Sequence, residues 1–104
     1  MTVETEVLWL DEHRVVSLHD LVELSGLAEA ELLELVHSGA IQASQSSGTE
    51  YHFSAQVISV ARTACRLRND FELDTRGLAV ALRLLERVRN LEAEIGRLRA
   101  ELPR

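Results

Sequence analysis

Cysteine, proline, lysine and aromatic side chains are scarce or missing in this sequence of 104 residues. Cys65 is the only cysteine, which excludes an intrachain disulfide and a zinc site built from several thiolates. Aromatic residues make up 4% of the chain and the one proline is Pro103, so Leu, Val and Ala must build the core. This composition is typical of a helical protein rather than of a β-sandwich.

Long apolar runs and targeting signals are absent as well. No run of about 18 apolar residues occurs, so the sequence predicts no transmembrane helix. The N-terminal stretch carries Glu4, Glu6, Asp11 and Glu12 where a signal peptide has basic residues followed by an apolar segment. We therefore expect a protein of the reducing cytoplasm, folded as one domain with at most one appended helix.

The patterns that carry catalysis are also missing. The sequence contains no Gly-rich phosphate loop, no His-Glu-x-x-His motif and no Gly-x-Ser-x-Gly elbow. The four histidines, which are His13, His19, His37 and His52, form no i, i+4 pair and have no cysteine beside them. We therefore expect no enzymatic activity, no metal site and no cofactor.

Charge is distributed unevenly along the chain. Residues 1–53 contain ten acidic residues and only one basic residue, Arg14, whereas residues 54–104 contain ten arginines and seven acidic residues. Because carboxylates repel phosphate backbones and attract cations, the first half favours a basic protein partner over a nucleic acid.

Two short helices joined by a glycine turn are predicted in this acidic half. Ser17 has the features of an N-cap for a helix that ends at Ser25-Gly26. A second helix is predicted over residues 28–38, with Leu32, Leu35 and Val36 facing inward and Gly39 as its stop. This is the helix-turn-helix pattern.

The segment after the second helix has the pattern of a β-hairpin. Apolar and polar residues alternate around Ile41 and Ala43 and again around Tyr51 and Phe53, with a predicted turn at Ser44–Gly48. We expect a wing of two strands. Ser54 is then predicted to cap a third helix that ends near Asn69.

The last helix is predicted from about Thr75 to Leu102, with Asp74 as its cap. Its apolar residues follow a heptad repeat that is typical of a coiled coil. The residues expected to bury in a dimer are Leu84, Val88, Leu91, Ile95, Leu98 and Leu102. Flanking charges of opposite sign, such as those of Arg87 and Glu92, suit such pairing but leave strand direction open.

This order of elements resembles a MerR-like winged helix-turn-helix: mostly α, with a short β-hairpin wing and a C-terminal coiled-coil helix. Within that group, the segments 66–74, 77–82 and 84–85 resemble the chaperone modulators of the CbpM family. The likeness extends from about Val7 to Leu102. It implies a winged helix-turn-helix domain over residues 1–73 and a dimerisation helix over residues 74–104.

The same resemblance implies a partner. Members of the CbpM family bind the J-domain of CbpA, a DnaJ-like co-chaperone, and inhibit both its co-chaperone activity and its DNA binding. We expect this chain to be a homodimer that does the same through its helix-turn-helix. The residues expected to face the J-domain are Asp20, Glu23, Leu27, Glu29, Glu31, Leu33 and Glu34, with Val36 as a further apolar candidate.

Two alternatives stay open. A MerR-like regulator would bind DNA through the second helix, yet that helix lacks Arg and Lys, and no basic residue lies between Val15 and Ala61. A general acidic adaptor, for example a DNA mimic, would bind many basic proteins rather than one. Arg62, Arg66, Arg68 and Arg76 form either a basic patch or an ordinary helical surface on which each arginine is solvated or paired with a nearby acid.

Overall fold

The structure, a computed structural model, describes residues 15–47 and 50–103. Its elements are β1 (Val15–Ser17), α1 (Leu18–Ser25), α2 (Glu29–His37), β2 (Gln45–Ser47), β3 (Glu50–Ser54), α3 (Gln56–Phe71) and α4 (Thr75–Glu101). The mostly helical fold with a small sheet confirms the predicted fold class.

Local capping fixes the first helix where the sequence predicted it. The Ser17 hydroxyl accepts a hydrogen bond from the Asp20 N–H at 3.1 Å, which begins α1. Gly26 ends it with φ at +86°, a left-handed conformation that side chains with a Cβ rarely adopt. The pair α1–α2 therefore forms the predicted helix-turn-helix.

The sheet has three strands, one more than predicted. The strands lie in the order β1-β3-β2 and are antiparallel, with Val16 opposite Phe53 and Ser46 opposite Tyr51. The missed strand β1 follows directly on the segment 1–14, which lies outside the described residues. The two wing strands β2 and β3 thus share a sheet with β1, which precedes the helix-turn-helix in sequence.

Two local predictions in and after the wing were wrong. The first wing strand is Gln45–Ser47, inside the segment predicted as a turn, because the N–H groups of Ala40 and Ile41 bond to the Leu35 carbonyl instead of to a strand. The Ile41 side chain extends from this loop into the core. Its burial accounts for the alternation of apolar and polar residues that had predicted a strand.

The predicted capping role of Ser54 was also wrong. Ser54 is the last residue of β3 and pairs with Val15, and α3 begins after Ala55 without a side-chain cap.

The core lies where α1, α2 and α3 meet the inner face of β3 and the first half of α4. Its fully buried large side chains are Leu21, Leu27, Leu32, Leu35, Phe53, Ile58 and Leu78. Leu78 and Leu82 of α4 complete it. The compact core therefore extends past residue 73, and the division into a winged domain and a dimerisation helix stays a proposal.

The second half of α4 carries an apolar face that nothing in the described chain covers. Asp74 caps the helix by accepting the Gly77 N–H at 2.8 Å, as predicted. From Leu84 onward the heptad side chains are between 42% (Leu91) and 67% (Leu102) exposed. A row of large apolar side chains at this exposure indicates a contact surface.

Gly96 lies inside α4, five residues before its last residue Glu101, where a methyl group would meet nothing within 4 Å. Replacing Gly96 with Ala should raise the free energy of unfolding by about 1 kcal/mol, because Ala loses less backbone entropy in a helix. Chemical denaturation at fixed protein concentration measures the change. A loss of stability would show that this position is packed against another chain.

Candidate partner-binding site

The outward face of α2 combines an apolar centre with acidic flanks. At 3.6 residues per turn, Ala30, Leu33 and His37 share the side opposite the buried Leu32 and Leu35. Leu33 is half-buried but is not among the side chains that pack on the core. Such a surface suits an apolar anchor surrounded by charge.

Glu29 and Glu34 lie on the two sides of this centre and are both exposed. Neither carboxylate has an ion pair with another residue of the described ranges 15–47 and 50–103. Within the same ranges, no Arg or Lys occurs before Arg62. Both carboxylates are therefore available to cations on a bound protein.

The α1 acids hold different positions. Glu23 is exposed, whereas Asp20 is half-buried and its backbone begins the helix against Ser17. Since α1 packs on α3 and only its outer side reaches solvent, Glu23 is the more accessible of the two.

Glu31 has a structural role that the sequence did not reveal. Its Oε1 atom accepts the Ala28 N–H at 3.0 Å and also pairs with the Arg68 guanidinium of α3. One carboxylate thus satisfies a free N–H at the start of α2 and ties that helix to α3. Glu31 is consequently less available to a partner than Glu29 or Glu34.

The prediction that Leu27 contacts the partner was wrong. Leu27 is 1% exposed and belongs to the core. The turn at Gly26 points the chain inward, and the Ser25 hydroxyl holds the Leu27 N–H at 3.1 Å. Val36 packs against the core, as its inward-facing position in the second helix predicted, and this leaves Leu33 as the apolar candidate on α2.

The arginines of α3 do not form a free basic patch. Arg62 donates from Nε to the Leu24 carbonyl at 3.0 Å, near the end of α1, and Arg68 is held by Glu31. Arg66 is exposed and donates to the Thr63 hydroxyl of its own helix. Two of these cations therefore fasten α3 to the helix-turn-helix.

A cleft between α2 and α4 was not predicted. It is an open groove with a volume of about 290 Å³, and it is lined by Glu34, Ser38, Thr75, Arg76, Ala79, Val80 and Arg83. The Arg83 guanidinium donates to the Ser38 carbonyl at the C-terminal end of α2, where a cation is favoured by the helix dipole. Sequence spacing gave no signal for the cleft, because its two walls lie about 40 residues apart.

Tyr51 extends the outward face of α2 onto the wing. Its hydroxyl lies 3.4 Å from Nε2 of His37, and the two rings meet edge to face with centroids 6.5 Å apart. On the other side, Tyr51 stacks on the buried Phe53. The tyrosine ring is thus held in one position beside His37.

Two further properties concern the described part of the chain. None of its helices has the length and apolarity needed to cross a bilayer. Its His, Cys, Asp and Glu side chains nowhere gather in a group of three that could ligate a metal ion. Neither finding adds a chemical site to the surfaces above.

Comparison with known proteins identifies the group to which these features belong. The family described as MerR HTH family regulatory protein matches residues 16–100. The chain is 40% identical over 70 residues to the chaperone modulatory protein CbpM of Salmonella paratyphi A, covering 67% of this chain and 69% of that one. It is 36% identical over 80 residues to CbpM of Escherichia coli O1:K1 / APEC, covering 77% and 79%. The chain therefore belongs to the family described as MerR HTH family regulatory protein and to the CbpM chaperone modulatory proteins.

Proposed function

We propose that this protein inhibits a CbpA/DnaJ-like co-chaperone by binding its J-domain, and so blocks both co-chaperone activity and DNA binding. The observation that carries the proposal is the outward face of α2, where Leu33 lies between Glu29 and Glu34, two carboxylates that form no ion pair within residues 15–47 and 50–103. It acts as a binding protein and not as an enzyme.

Charge complementarity supports this partner. The resemblance to the CbpM family implies that the J-domain of the co-chaperone engages its Hsp70 through a positively charged helix. A basic helix placed on α2 would pair with Glu29 and Glu34 on its two sides, with Glu23 of α1 as a further acid. Occupation of that helix would exclude the Hsp70 by competition.

Affinity and rate depend on different parts of this surface. Exposed carboxylates at a rim mainly raise the association rate and exclude wrong partners. The apolar centre around Leu33 supplies the area that is removed from water. Asp20 and Glu31 add to the negative electrostatic potential of this surface, although both also make contacts that stabilise the fold.

DNA binding through the same helix is disfavoured by its charge. A recognition helix needs Arg, Lys, Asn or Gln toward base edges and phosphates. The outward face of α2 offers carboxylates, and its only nitrogen base is His37. In this proposal the MerR-type architecture therefore binds another protein instead of DNA.

The protein would act as a homodimer. The heptad residues Leu84, Val88, Leu91, Ile95, Leu98 and Leu102 form one exposed face of α4. We assign this face to a second copy of the chain and residues 74–104 to the dimerisation helix.

A calorimetric titration of the full chain with a CbpA-type co-chaperone, at two salt concentrations, tests the proposal. We expect saturable binding that weakens as salt rises. The triple variant Glu23/Glu29/Glu34→Gln should bind about tenfold more weakly at low salt, because three attractive charges are removed from the contact.

The matched control changes three exposed acids elsewhere, with the substitutions Asp70→Asn, Glu72→Gln and Glu86→Gln. It alters the net charge equally, so its affinity should stay close to that of the unaltered chain. Equal losses in both variants would place the contact away from α2. No binding by the unaltered chain at either salt would refute the co-chaperone as partner.

A further inference from the structure

The cleft between α2 and α4 carries charge of the opposite sign to the acidic face beside it. Arg76 and Arg83 lie on its α4 wall, and Glu34 lies on its α2 wall. A partner that was basic throughout its contact surface would be repelled by the two guanidinium groups. A bound protein that fits the cleft must therefore carry a different charge at this point of its surface.

Arg76 is free to bind an anion. It is exposed in the first turn of α4, and no ion pair or hydrogen bond joins it to any residue of 15–47 or 50–103. Arg83 is different, because its guanidinium already donates to the Ser38 carbonyl, which fixes its position on the cleft wall. One arginine is thus held in place and the other is available.

The size and lining of the cleft suit a single amino-acid side chain of a bound protein. About 290 Å³ is at the lower end for a small-molecule site but is ample for one amino-acid side chain. Ala79 and Val80 supply an apolar wall, and Val80 is 59% exposed. An aliphatic stem ending in a carboxylate fits such walls, because the stem lies on carbon and the acid meets guanidinium.

We infer that the cleft of Arg76 and Arg83 receives an acidic side chain of the protein bound on the outward face of α2. This inference rests on the proposed function and adds a second requirement to it. The partner must present a basic residue to Glu34 and, within about one helical turn, an acidic residue to Arg76. A basic helix without that acid would bind more weakly, so the cleft gives selectivity among basic proteins.

The variant Arg76→Glu tests the inference by the sign of its effect. If the partner contacts this region only through positive charge, replacing Arg76 with Glu should strengthen binding to a CbpA-type co-chaperone. If the cleft holds a partner carboxylate, the same change should weaken binding by about tenfold or more. Folding should not be impaired, since an acidic residue is favoured in the first turn of a helix.

The control is Arg97→Glu, which makes the same change of charge at an exposed position far along α4 and removes only a solvent-exposed pair with Glu94 of the same helix, at 3.8 Å. It should leave affinity unchanged or slightly higher. Acid-to-Lys variants of the co-chaperone, titrated against Arg76→Glu, should include one that restores binding and so identifies the acidic side chain that the cleft receives.

The outcomes are distinct. Weaker binding of Arg76→Glu with unchanged stability, and recovery by one acid-to-Lys variant, support the inference. Unchanged or tighter binding overturns it and leaves the proposed function standing. A shift in the monomer–dimer equilibrium of Arg76→Glu, seen by sedimentation without loss of co-chaperone binding, assigns the cleft to a second copy and also overturns it. Absence of binding by the unaltered chain overturns both.

Discussion

Replacing Leu91 with Asp is expected to turn the proposed dimer into a monomer and to lower the melting temperature. Leu91 lies at the centre of the exposed heptad face of α4 and is its least exposed large side chain. A carboxylate there would be placed against apolar side chains of the second copy without a partner, which costs several kcal/mol. Sedimentation equilibrium measures the mass, and circular dichroism measures the melt.

The control for this variant is Ala93→Asp, two residues away on the outer side of the same helix. It introduces the same charge and a similar loss of helix propensity, so it should remain dimeric. An unchanged mass and melting temperature in Leu91→Asp would refute the coiled-coil assignment.

Replacing Phe53 with Ala is expected to lower the free energy of unfolding by about 3–5 kcal/mol, close to the limit that a small domain tolerates. Phe53 is 0% exposed and lies in the central strand β3, opposite Val16 of β1. The variant loses the largest side chain that is fully buried within residues 15–47 and 50–103, and it leaves a cavity in the core. Urea denaturation at fixed protein concentration gives the value.

The other phenylalanine of the chain provides the control. Phe71 is 67% exposed at the end of α3, so Phe71→Ala makes the same chemical change with an expected effect within about 0.5 kcal/mol. Similar losses in the two variants would mean that β3 does not anchor the core as described.

Local signals in the sequence predicted those parts of the fold that depend on a few neighbouring residues. The caps at Ser17 and Asp74 and the turn at Gly26 are contacts within three or four positions, and each was confirmed. The long helix α4 was also confirmed to within a residue, because its pattern repeats over many turns.

The errors have a common physical cause, which is burial by distant parts of the chain. Ile41 alternates with polar neighbours as a strand residue would, but it fills the core from a loop. Leu27 follows a helix end and was expected at the surface, yet the Gly26 turn directs it inward. Local spacing cannot distinguish these cases, since the deciding contacts come from elsewhere in sequence.

The candidate site was predicted in part. From the acidic composition we predicted that α2 faces a basic partner; that role stays a prediction, and the structure leaves Glu29 and Glu34 exposed on this helix. The pairing of Glu31 with Arg68 and the α2–α4 cleft could not be predicted, because each joins side chains about 40 residues apart. When only the sequence is known, an arginine on a helix has many possible ion-pair partners.

The two attachments of α2 have a consequence for binding. Glu31 near its start is held by Arg68 of α3, and the Ser38 carbonyl after its end is held by Arg83 of α4. The helix is therefore clamped at both ends before any partner arrives, and Tyr51 is fixed beside it. A surface preorganised in this way loses little conformational entropy on association, so more of the contact energy remains as affinity.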